Sequence, residues 1–97
     1  MVLIRFRDDA STEAHQQIYD MYQRIAEECG GSEAGILEWQ VEWNLVQPPK
    51  RKCDLVEVAL FTSIEAIEQF RLHPKHKELT DLLQRVADWW VGDCETD

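Results

Sequence analysis

Apolar and polar residues alternate from Val2 to Arg7, with Val2, Ile4 and Phe6 on one side and Leu3, Arg5 and Arg7 on the other. That period of two predicts a strand. "DDAST" supplies a turn and a helix cap at Ser11 or Thr12, after which His15, Ile18, Tyr22, Ile25 and Cys29 recur at helical spacing until Gly30 and Gly31. In "ILEWQVEWNLV" the apolar set is Leu37, Trp39, Val41, Trp43 and Leu45, opposite Glu38, Gln40, Glu42 and Asn44, which predicts a second strand.

The stretch from Asp54 to Thr62 carries apolar residues on both faces, Leu55, Ala59 and Phe61 against Val56, Val58 and Leu60, so it predicts a central strand covered twice. Thr62 and Glu65 suit a capping box for a short helix from Ser63 towards Leu72. Pro74 interrupts that helix but is tolerated in the first turn of the next, which carries Leu79, Leu82, Leu83, Val86 and Trp90 inward. A last strand is expected over Trp89 to Cys94, with Gly92 as a bulge or close approach.

The order β-α-β-β-α-β predicts an α+β fold of the ferredoxin-like kind, a four-stranded antiparallel sheet with the helices on one face, as a single domain over residues 1–97. Helices on one side leave the other side of the sheet bare. A second copy of the chain is the economical cover, giving a homodimeric α+β barrel with its sheets face to face, and Trp39, Val41 and Trp43 are the expected interface row.

Composition narrows the partners. A chain of 97 residues buries only about 60 to 65% of its unfolded surface, which adds to the case for a dimer. The net charge of −9 disfavours nucleic acid, which needs basic side chains against phosphates. Lys50, Arg51 and Lys52 are the local exception, read as a solvated hairpin loop or an anion contact. No apolar run is long enough to span a bilayer, the opening "MVLIRF" lacks the pattern of a signal peptide, and three cysteines without a CxxC pair suit free thiols. The expectation is a cytoplasmic protein without a membrane partner.

Candidate chemistry concentrates in "RLHPKHKEL", Arg71 to Leu79. His73 precedes a proline and is pushed out of the helical region, so it reads as a joint or cap. His76 lies three and seven residues before Leu79 and Leu83 and faces the same inward stripe. Its place in the first helical turn favours the neutral imidazole, able to act as base or hydrogen-bond partner near pH 7. Two readings stand beside each other: a buried structural histidine, or the candidate catalytic residue of a pocket lined by Tyr22, Phe70, His73, His76, Leu79 and Leu83. No third ligand completes a metal site around the two histidines, and no motif points to a cofactor.

The segments "MVLIRFRDDAS", "DLVEVALFTSIEAIEQFRLHPKHKEL" and "VGDCE" resemble the stress-responsive A/B barrel domain family, most specifically in the run from the third strand into "HPKH". That resemblance implies a ferredoxin-like protomer and a homodimer with a barrel between the sheets. It implies less about activity. A plant cyclase of the family closes a polyketide ring without cofactor through a Tyr and His pair; its histidine falls on His76, but its tyrosine falls on Phe70, which has no hydroxyl to exchange a proton. The leading expectation is therefore a non-catalytic protein or a binder of a small hydrophobic or aromatic ligand. The alternative is a cofactor-independent cyclase-like or monooxygenase-like enzyme using His76.

Overall fold

The computed structural model describes residues 1–96. Its elements are β1 (Val2–Phe6), α1 (Thr12–Glu28), a 3-10 turn (Gly31–Ala34), β2 (Ile36–Trp43), β3 (Leu55–Phe61), α2 (Ile64–Leu72), α3 (Pro74–Val86) and β4 (Ala87–Val91). The strands form one antiparallel sheet in the order β2-β3-β1-β4. This is the ferredoxin-like α+β arrangement, with β3 and β1 central. Among the described residues no helix is long and apolar enough to cross a membrane.

Local chemistry accounts for the boundaries. Ser11 caps α1 by accepting from the Ala14 N–H at 3.0 Å, and Gly30 ends it in the left-handed region at φ 106°. Gly35 must also be glycine: at φ 84°, a Cβ there would meet Thr62 Oγ1 at 2.5 Å and Ala66 Cβ at 2.8 Å. The cap of α2 is Ser63, accepting from the Ala66 N–H at 3.1 Å, and not the box expected from Thr62. Asp54 ties β1 to the start of β3, its carboxylate accepting from the Phe6 N–H at 2.8 Å.

His73 is the joint between α2 and α3. Its backbone is extended at ψ 136°, as a residue before proline must be, and its Nδ1 accepts from the Lys75 N–H at 3.1 Å. Expect His73→Ala to cost about 1 kcal/mol by loss of this cap, read by urea denaturation; an unchanged midpoint would contradict the assignment.

The core lies between sheet and helices. Ile18, Tyr22 and Ile25 of α1 and Leu79 and Leu83 of α3 meet Ile4, Phe6, Val41 and Leu55 of the sheet. Strand register sorts the two faces: Val2 opposes Glu57, which opposes Val41, so these three share the helix side. Leu3 opposes Val56 and Trp90 on the bare side.

Two expectations are corrected here. Trp39, Val41 and Trp43 lie on the helix side of the sheet and not on its bare face: Trp39 Nε1 donates to the Tyr22 carbonyl at 2.8 Å, Gln23 of α1 donates to the Val41 carbonyl at 2.7 Å, and Trp43 stacks on Tyr19 at 5.0 Å. The row is covered by α1. Trp90 is not on a helix either, because Ala87 is already extended at φ −150° and starts β4 two residues earlier than expected. The bare face carries Leu3, Val56, Val58, Leu60 and Trp90 as an apolar band across β3, β1 and β4, with Glu38, Gln40 and Glu42 of β2 along one margin. Val58 is 46% exposed and Trp90 54%.

Candidate functional site

The expected pocket residues divide. Leu79 and Leu83 are buried under α3 and serve the core, and the His73 ring is committed to the joint. Tyr22, Phe70 and His76 belong to one aromatic layer between helices and sheet. The ring of His76 meets Phe70 edge-on at 4.7 Å; Phe70 meets Trp39 at 5.3 Å and Phe61 at 5.4 Å; Trp39 lies 6.4 Å from Tyr22. Such tilted pairs hold the rings at defined angles by their quadrupoles.

A carboxyl that sequence reasoning passed over completes the layer. Glu57 stands mid-strand on β3, on the helix side with Leu55 and Ala59, and is only 6% exposed. Burial raises its pKa from 4.5 to about 7; the Met1 ammonium and Arg71 pull it down, and Asp93 pushes it up. These charges act through space. The signal in the sequence was an acid at an inward position of a strand otherwise apolar on both faces.

The other titratable groups respond to the same surroundings. Burial, then the Glu57 charge, lifts the Tyr22 phenol above its ordinary value, so it stays protonated. Burial first, and the Arg71 guanidinium second, lower the His76 pKa, while the Arg71 backbone carbonyl opposes them and His73 adds a little. The imidazole is therefore neutral at pH 7. Burial lifts the thiol of Cys29 too, against the pull of the His76 backbone. Between helices and sheet the fold thus holds a neutral base and an acid poised between its two forms, both within the field of Arg71.

Arg71, in the last turn of α2, is engaged with Asp93 beyond β4, with N–O 2.7 Å. Asp93 is positioned by the chain termini of the sheet: the Met1 ammonium donates to the Gly92 carbonyl at 2.7 Å and the Gly92 N–H donates back to the Met1 carbonyl at 2.9 Å. Two grooves open on the protomer elsewhere, one of about 850 Å³ between α1 and α3 and one of about 490 Å³ beside Trp89 and Trp90, and neither is lined by His76. In the β2–β3 loop, Arg51 donates to the carbonyls of Val46 at 2.7 Å and Asn44 at 2.8 Å, which makes it a loop clamp. Among the described residues no cluster of three or more His, Cys, Asp or Glu forms a metal-binding group.

Fold and site together define a ferredoxin-like α+β protomer with an aromatic, polar-floored layer on one side of its sheet and an apolar band on the other. The sequence profile described as the Stress responsive A/B Barrel Domain matches residues 1–95, and the chain belongs to that family. Comparison with curated proteins gives no match. Among solved structures the chain is similar to a dimeric protein of unknown function with a ferredoxin-like fold from Bacteroides fragilis NCTC 9343, at TM-score 0.69 and 18% identity, over 90% of this chain and 82% of that one. It is also similar to a dimeric ferredoxin-like protein of unknown function from Thermobifida fusca YX, at TM-score 0.73 and 14% identity, over 92% and 84% of the two chains.

Proposed function

We propose that the protein is a cytoplasmic homodimer that binds one small aromatic or hydrophobic molecule per protomer, between helices and sheet, without a cofactor. Dimerisation is supported by the exposed band around Val58 and Trp90 and by the dimeric state of the two similar solved proteins. Three free cysteines suit a reducing compartment. Ligand binding rests on a single observation: His76 is a polar ring set edge-on against Phe70 in a layer with Trp39 and Tyr22, while Glu57 is buried on the same, helix-covered side of the sheet. A largely apolar site with a few convergent polar groups is what small-molecule recognition uses.

A second reading, acid–base chemistry with His76 as base, draws on a neutral imidazole and an acid that titrates at about 7, both lying between helices and sheet. Binding is the simpler function and is tested first. Titration with the neutral probe 1-naphthalenemethanol, followed by calorimetry, should give saturable heat below about 1 mM for wild type. His76→Ala should weaken it about tenfold through a lost hydrogen-bond partner. Absence of saturable binding, or binding indifferent to His76, would reject the reading.

A further inference from the structure

We propose that a second copy of the chain covers the bare face crosswise, so that Arg5 of each protomer pairs with Glu42 of the other and Val58 of each packs on the other's Trp90. The inference rests on the proposed homodimer and specifies how its two sheets meet. It begins from two unpaired charges. Arg5 follows Leu3 along the bare face of β1, opposite Asp88, but the Asp88 carboxylate is engaged by Arg7 at 3.2 Å. Glu42 stands on the same face of β2, opposite Val56. Among the described residues neither Arg5 nor Glu42 enters an ion pair.

Strand register places these charges relative to the apolar band. Glu42, Val56, Leu3 and Trp90 form one row across the sheet, and Gln40 with Val58 begins the next. From Glu42 to Arg5 is a step of two strands and two residues, about 10 Å across the sheet and about 7 Å along it. From Val58 to Trp90 is the same step in the same direction. A single two-fold axis lying between the sheets, and crossing this row between Val56 and Leu3, therefore makes both pairs at once. It sets Arg5 on the second copy's Glu42, Val58 on the second copy's Trp90, and Leu3 with Val56 around the axis. The strands of the two sheets then cross at a steep angle, as in orthogonal sheet packings.

Charge opposes the simpler ways of stacking the two faces. An axis across the strands lays β2 over the second copy's β2 and brings Glu38 and Glu42 of both copies to one seam, where like charges repel. An axis along the strands drops Glu42 onto the second copy's Trp90 and buries it without a cation. The crosswise axis gives the central apolar residues apolar neighbours and gives Arg5 and Glu42 their opposites. Because a two-fold contact is isologous, the ion pair is made twice.

Dimer dissociation constants from fluorescence-detected sedimentation, over about 1 nM to about 100 µM, test the pairing, with circular dichroism to check that each variant is folded. Arg5→Glu and Glu42→Arg should each weaken the dimer about 100-fold or more, because each sets two like-charge contacts into the interface. The two substitutions move the net charge in opposite directions, so a loss in both cannot come from overall repulsion. Arg5→Glu combined with Glu42→Arg should restore the dimer to within about tenfold of wild type. Arg5→Glu combined with Glu38→Arg should not, since the crosswise axis carries Glu38 past the edge of the second copy's β4. Single variants as tight as wild type, or a Glu42 swap that fails to restore, would overturn the crosswise pairing and leave the dimer standing. A wild type that stays monomeric at about 100 µM would take the dimer and the pairing down together.

Discussion

Val58→Glu should convert the proposed dimer to a monomer of 11.4 kDa at micromolar concentration. Val58 lies on the bare face of a central strand, opposite Gln40, and is 46% exposed in the protomer, so the protomer accommodates a longer polar side chain. In the proposed dimer the same position would place one carboxylate from each copy in an apolar contact. An unpaired buried charge costs about 3 to 5 kcal/mol, and two of them raise the dissociation constant by at least about 10⁴-fold. Sedimentation velocity reads the mass, and circular dichroism checks that the fold remains. A variant that still sediments as a dimer would move the interface off this face.

The second large effect is a gain. Glu57→Gln should stabilise the protein by about 3 kcal/mol at pH 8 and by little at pH 5, because at constant volume it removes an ionisation that burial opposes. The sign follows from the shift. The folded pKa is about 7 and the ordinary value 4.5, so between these the folded chain keeps a proton that the unfolded chain has lost. Stability of the wild type therefore falls through this group as pH rises from about 4.5 to about 7, and stays lowered above it. His76 works the other way: its folded pKa lies below 6.5, so its contribution is full above that value and is lost as pH falls towards the folded one. Thermal melts at fixed protomer concentration, at pH 5 and pH 8, separate the two. Equal melting of wild type and Glu57→Gln at pH 8 would mean that Glu57 is solvated and does not belong to an enclosed site.

The order of elements along the chain and the helix joints were legible in the sequence because each rests on local chemistry. Proline at 74 forces an extended His73, paired glycines end α1, and the i+3 and i+7 spacing turns His76 inward with Leu79 and Leu83. The two faces of the sheet were not legible in the same way. Trp39, Val41 and Trp43 form a conspicuous apolar row within one strand, yet Glu38, Gln40 and Glu42 opposite them can only face outward, and so the row belongs under α1. The band that is exposed takes one or a few residues from each of several strands, Leu3, Val56, Val58, Leu60 and Trp90, and becomes a band only when register brings them side by side.

Glu57 stayed hidden for a related reason. A lone acid in an apolar strand looks solvated until its neighbours Leu55 and Ala59 are seen to share its side of the sheet. Arg71 carries no signal at all in "RLHPKHKEL", since its partner Asp93 is 22 residues away and meets it only through the pairing of β4 with β1. Sites assembled across a sheet from single residues leave no motif.

Binding of a small aromatic molecule in the proposed Phe70–His76 site is visible directly in a crystal structure of the protein with 1-naphthalenemethanol. The rings should lie stacked or tilted against Phe70, with the hydroxyl within hydrogen-bond distance of His76. A probe ordered instead in the α1–α3 groove or between the two sheets, with His76 still closed against Phe70, would contradict it.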